Sequence, residues 1–132
     1  MRRQSRELAL QVLFQIEFAP QISNADLMEV LGASLEQDTV KFADGLIRGV
    51  QVQKTAIDAK IQAVSTHWKL ERMATIDRNI LRVAVYELCF TPNPLKENII
   101  INEAVEIAKK FGTTESASFV NGLLDQIAKA QR

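Results

Sequence analysis

An all-α fold follows from three features of the 132-residue sequence. Apolar residues recur at helical spacing through almost the whole chain, as at Leu8, Val12, Leu13 and Ile16. Five glycines and three prolines leave few breaks, and 47% apolar content suits a packed, regular protein over a disordered one. The one strand-like run, Ile99-Ile100-Ile101, is short and has no partner strand, so it reads as an extended buried connector. The expectation is about seven helices in two packed helical sub-bundles within a single domain, 1–132, the N-terminal helices covering about 3–66 and the C-terminal helices about 75–130.

The first helix covers residues 3–18 and stops before Pro20, since proline disfavours helix in the residue preceding it. Ser23 or Asn24 can cap a second helix over about 25–34, which ends near Gly32. A third is expected over about 37–53, with Val40, Ala43, Leu46, Ile47 and Val50 inward. A fourth follows over about 55–66, with Ile57, Ile61 and Val64 inward, and only Lys54-Thr55 separates the two. Residues 67–74 form a connector carrying Trp68, Leu70 and Met73. The fifth helix begins near Thr75, is apolar on most sides and should lie at the centre of the domain; Pro92-Asn93-Pro94 ends it. Asn102 is the expected N-cap of the sixth helix, with Lys109 and Lys110 in its last turn and Gly112 at its end. The seventh covers about 115–130 behind Thr113 or Thr114, and Asn121-Gly122 in it suggests close helix packing with a buried polar tie.

Sixteen basic and sixteen acidic side chains cancel, so bulk charge selects no polyanion partner and only local clusters can. A single cysteine excludes an internal disulfide and a cysteine-based zinc site, and a single histidine excludes a histidine pair on a metal. No cofactor is implied, because no GxGxxG or Walker pattern is present. Cys89, between Leu88 and Phe90, reads as an inert core thiol. His67 has no motif that would orient it as a base. Nothing in the pattern supports catalysis. The N-terminal residues do not read as a signal peptide, since Glu7, Gln11 and Gln15 interrupt the apolar pattern, and no apolar run approaches the roughly 18 residues that cross a bilayer. A soluble cytoplasmic protein without membrane contact is expected.

Two basic groups stand out. Arg2, Arg3 and Arg6 fall on one side of the first helix by spacing, where they repel each other and oppose the helix dipole. An anionic partner would relieve both effects, and guanidinium groups suit phosphate because they bind it bidentately. Charge alone does not separate an anion site from a solvated helix end. Arg78, Arg82 and Tyr86, four residues apart, form a polar stripe that reads as one wet face of an apolar helix. Glu103 and Glu106 read as a surface salt-bridge set with Lys109 and Lys110. The acidic stretch Asp26, Glu29, Glu36, Asp38 and Asp44 reads as a solvated face.

Four segments carry a resemblance: Arg2–Phe14, Ile76–Leu88 (IDRNILRVAVYEL), Ile101–Gly112 (INEAVEIAKKFG) and Phe119–Asp125 (FVNGLLD). In this order they resemble the NusB family of transcription antitermination factors, almost end to end. The resemblance implies binding of boxA RNA from ribosomal transcripts, together with the small-subunit ribosomal protein NusE, within the RNA polymerase antitermination complex. It assigns RNA contact to Arg2, Arg3, Arg6, Phe14, Arg82, Phe111, Glu115 and Phe119, and NusE contact to Glu71 and Asp77. Gln4 and Ser5 interrupt the arginines and Phe14 replaces a common tyrosine, which bears on affinity and sequence preference. Glu115 stands where aspartate is usual. By spacing alone Phe111 and Phe119 read as core residues, and Asp77 as a helix-start acid. The resemblance also admits a homodimer through the same surface. Two rival functions stand beside it. One is a NusB-like RNA-binding domain of an RNA cytosine methyltransferase, which would need a Rossmann half and cofactor glycines that these residues lack. The other is a helical adaptor that binds protein only.

Overall fold

A computed structural model describes residues 2–91 and 95–131. Among them lie six α-helices: α1 (Arg2–Phe18), α2 (Asn24–Leu31), α3 (Gln37–Val64), α4 (Thr75–Cys89), α5 (Glu97–Phe111) and α6 (Ser116–Gln131). A short 3-10 turn, Leu70–Arg72, precedes α4. The expected stop at Pro92-Asn93-Pro94 lies outside the described residues.

Two sequence expectations are corrected. The third and fourth helices are one 28-residue helix, α3. Lys54, Thr55 and Ala56 are exposed there, and the buried face simply continues from Val50 to Ile57 and Ile61. A threonine with cap potential does not end a helix whose apolar stripe runs on past it. The Ile99-Ile100-Ile101 run is helical, because α5 starts at Glu97 behind Lys96, and Asn102 is an interior residue, not the cap. Ile100, Ile101, Ala104, Ile107 and Ala108 make one buried face while Ile99 points out, so tertiary burial overrides the strand preference of β-branched residues.

The core forms around α4, which packs against α1, α3, α5 and α6. Every residue of α4 from Asn79 to Val85 is buried. So long an unbroken run covers all sides of a helix, as expected of one enclosed by its neighbours. Leu8, Leu10 and Val12 of α1, Ile47 and Ile57 of α3, Ile100 of α5 and Leu124 of α6 are fully buried in the same core. At α2, the Ser23 hydroxyl accepts from the Asp26 N–H at 3.1 Å, and the amides of Asn24 and Gln51 pair and tie the start of α2 to α3. The connector after α3 is held by Gln62 and by Ser65, whose hydroxyl donates to the Trp68 carbonyl at 2.7 Å. Gln62 donates to the carbonyls of Ser65 and Trp68 and accepts from the Leu70 N–H at 2.8 Å. That fixes Leu70 and Met73 in the core and leaves Trp68 56% exposed.

Glycine placement differs from expectation as well. Gly122 and Asn121 are exposed, and a Cβ at Gly122 would meet nothing within 4 Å, so this pair makes no close helix contact. The close approach is at Gly49, where a Cβ would collide with the ring of Tyr86 as α3 crosses α4. Two substitutions separate the sites. Gly49→Ala should destabilise by about 1–3 kcal/mol through overpacking. Gly122→Ala should be neutral or stabilise by up to about 1 kcal/mol, since alanine is the better helix former. Urea denaturation midpoints of the two variants check both.

Candidate nucleic-acid and protein interface

Of the three N-terminal arginines, which spacing places on one side of the helix, Arg3 and Arg6 both reach Glu103 while Arg2 turns to α3. Arg2 lies over the Phe42 ring of α3, with its guanidinium carbon 3.8 Å from the centroid. Arg3 turns to α5 and donates to Glu103 through Nε at 3.0 Å and Nη2 at 2.6 Å. Arg6 is only 5% exposed and donates bidentately to Glu87 of α4, at 2.7 and 2.9 Å. Intramolecular carboxylates therefore supply what an anionic partner was expected to supply for Arg3 and Arg6. Only Arg2 and Arg3 are presented to solvent. The hydrogen bonds from Arg3, outweighing burial, hold the Glu103 carboxyl below its ordinary range.

The stripe on α4 is likewise not a wet face. It is a polar seam toward α1 and α3. Arg78 forms an ion pair with Glu17 and also donates to the Met73 carbonyl at 3.0 Å. Arg82 is buried and donates to both Asp58 oxygens at 2.8 and 3.1 Å, with Glu17 at 3.2 Å. Asn79 donates to Glu17 at 2.6 Å, and Tyr86 covers Gly49. Burial alone would raise the Glu17 pKa; hydrogen bonds from Arg78 and Asn79, with the charges of Arg78 and Arg82, outweigh it and hold the carboxyl below its ordinary value.

The aromatic candidates line two hollows near the start of α4. Phe14 and Phe111 share an apolar groove of about 310 Å³ with Leu10, Leu31 and Ile76. Phe14 also packs on Phe18, with ring centroids 4.9 Å apart. Phe119 and Glu115 share a hollow of about 280 Å³ with Trp68, Arg72 and Asp77. Phe14, Phe111 and Phe119 are all partly buried. The Oδ1 atom of Asp77 is buried without a hydrogen-bond partner among the described residues. Glu71 is exposed on the 3-10 turn. Glu115 and Phe119 thus sit beside Asp77, in a different hollow from the exposed arginines of α1. A third hollow, about 400 Å³, gathers Arg2, Lys41, Phe42 and Tyr86. No local pattern marks Phe42 or Lys41 as a partner of Arg2, because only the crossing of α1 and α3 brings them beside it.

The remaining candidates carry no site chemistry. His67 is exposed, and no group of three or more His, Cys, Asp or Glu among the described residues could hold a metal. Cys89 is half-buried, less enclosed than its apolar neighbours suggested, and burial pushes its thiol pKa up. Lys109 pairs with Glu106 as expected, but Lys110 reaches Glu7 of α1 and Glu103 serves Arg3. No helix among the described residues is long and apolar enough to cross a membrane.

Comparison with known proteins gives this arrangement its relatives. The NusB family model matches residues 3–129. A transcription antitermination protein NusB from Bdellovibrio bacteriovorus is 67% identical over 129 residues, covering 98% of this chain and 96% of that protein. The corresponding protein from Myxococcus xanthus is 44% identical, covering 98% and 95%. Among solved structures, T. maritima NusB superposes with a TM-score of 0.88 at 37% identity, covering 98% of this chain and 91% of that one. A chain from the complex of antitermination factors NusB and NusE with dsRNA gives 0.82 at 25% identity, covering 98% and 96%.

Two measurements test the structural assignments. Arg6→Ala leaves the buried Glu87 carboxylate without its bidentate partner and should cost about 3–5 kcal/mol of stability in urea denaturation. For Glu17, the folded pKa lies below the unfolded one. Its ionisation therefore contributes stability that is fully present above the ordinary value of 4.5 and is lost as pH falls through the folded value. The stability difference between the parent and Glu17→Gln should be largest at neutral pH and shrink below pH 4.5.

Proposed function

The chain belongs to the NusB family, and from that premise we propose that it is an RNA-binding transcription antitermination factor that binds boxA RNA of ribosomal transcripts together with NusE. The observation that carries this reading is the 67% identity, across nearly both full lengths, to a protein named for that role. The likeness to NusB in its complex with NusE and dsRNA supports RNA and NusE as the partners.

The proposed mechanism is assembly without a chemical step. Arg2 and Arg3 at the start of α1 bind the RNA backbone, with Phe42 holding the Arg2 guanidinium in place. The partly buried rings of Phe14, Phe111 and Phe119 offer edges and faces on which unpaired bases stack. Arg6 and Arg82 act indirectly, by fixing α1 and α3 on α4 so that the exposed arginines and the rings keep their spacing. Glu71 on the 3-10 turn and Asp77 at the start of α4 are the acidic contacts for NusE, suited to a basic ribosomal protein, while Glu115, in the same hollow as Phe119, lies on the RNA side. The pair then joins the elongating polymerase in the cytoplasm.

Labelled boxA RNA titrated across a salt series, with and without NusE, tests the reading. Binding enhanced by NusE is the expected result. Arg2→Ala/Arg3→Ala should weaken it and flatten the salt slope by about 1.4, at roughly 0.7 for each single-strand phosphate no longer neutralised. Retention of NusE by a folded protein that binds no RNA under any condition would overturn it in favour of a protein-only adaptor.

A further inference from the structure

Arg3 and Arg6 are both held bidentately by carboxylates, yet their settings differ. The Arg6–Glu87 pair is sealed, with side chains 5% and 7% exposed. The Arg3–Glu103 pair is open, at 48% and 22%. Both Glu103 oxygens accept from Arg3, one from Nε and one from Nη2. This fork is the geometry in which a guanidinium also grips a phosphate, so phosphate and carboxylate are direct competitors for the same donors. We propose that Glu103 is a built-in stand-in for an RNA phosphate, which holds Arg3 in the free protein and yields it to the RNA backbone on binding. The inference rests on the RNA-binding reading above and goes beyond it by assigning a self-masking residue.

Three further observations fit an exchange. Glu103 is fixed on a well-packed helix, flanked along α5 by buried Ile101, Ala104 and Ile107, so it is a stationary acceptor. Arg3 lies at the first turn of α1, on a long exposed side chain that can swing between acceptors. When it leaves, Glu103 is not stranded: Arg6 Nη1 stands 3.6 Å from Glu103 Oε1 while remaining locked on Glu87. The carboxylate thus keeps a cationic neighbour in both states, which makes release inexpensive. An exposed ion pair contributes little to stability, so masking should lower RNA affinity by only about two- to fivefold.

The test uses fluorescence anisotropy of a labelled single-stranded boxA oligonucleotide with the full chain. The variants are Glu103→Gln, Arg3→Ala, their double mutant and Glu106→Gln. The last removes the same charge three residues away, from an exposed side chain paired with Lys109. Thermal melts verify that each variant is folded. Glu103→Gln should bind about two- to fivefold tighter than the parent, and most of that gain should vanish when Arg3 is alanine. An unchanged or weaker affinity would overturn the proposal. So would an equal gain in the Arg3→Ala background or from Glu106→Gln, since either would mean bulk charge and not masking. If the parent binds no RNA either alone or with NusE added, the RNA-binding reading falls and this inference falls with it.

Discussion

A guanidinium removed from water must be given a carboxylate, and the fold is organised around meeting that requirement on α4. Arg6 of α1 meets Glu87 of α4, Arg82 of α4 meets Asp58 of α3, and Arg78 and Arg82 meet Glu17 of α1. Apolar packing would hold α1, α3 and α4 together in many rotations, because one aliphatic face resembles another. Forked arginine–carboxylate pairs in a low dielectric admit few, since a slip of one turn leaves several charges buried and unpaired. Tyr86 over Gly49 adds a steric check at the same crossing. These ties are set against a desolvation cost that limits their net contribution to stability, so their stronger effect is to select one arrangement of helices.

That arrangement sorts the arginines into two kinds. Arg6, Arg78 and Arg82 face carboxylates across helix joints and hold the scaffold. Arg2 and Arg3 remain at the exposed start of α1, one on an aromatic ring and one on an exchangeable carboxylate. The aromatic candidates follow the same division of labour within single residues. Phe14, Phe111 and Phe119 are partly buried and line hollows. An interface assembled this way is rigid where it is buried and adjustable only at its outer side chains, which favours preorganised binding.

Much of this was legible in the sequence. Helical spacing pointed to the all-α class, the central position of α4 and most of its buried residues, because amphipathic periodicity reports burial directly. The errors came where a local signal met a tertiary one. Thr55 carries cap potential, but the inward run from Val50 to Ile57 keeps α3 whole. Ile99–Ile101 favours a strand locally, but Ile100 and Ile101 complete the buried face of α5. Charge pairing was the least legible feature. Glu17, Asp58, Glu87 and Glu103 lie 24 to 100 residues from the arginines they hold, and no local pattern encodes such partners. Spacing puts Arg2, Arg3 and Arg6 on one side of α1, whereas in the fold Arg2 turns to α3, and Arg3 and Arg6 meet at Glu103 of α5, with Arg6 forked on Glu87 of α4.

Two classes of arginine thus divide the work, a buried set that builds the scaffold and an exposed pair proposed to meet RNA. Arginine Nε–H nuclear magnetic resonance spectra, assigned and followed while boxA RNA is titrated in the presence of NusE, test that division directly. The Arg2 and Arg3 signals should shift with saturation, while those of Arg6, Arg78 and Arg82 stay slow to exchange with water and nearly unmoved. Large RNA-dependent shifts at Arg6 or Arg82, with Arg2 and Arg3 unaffected, would contradict it.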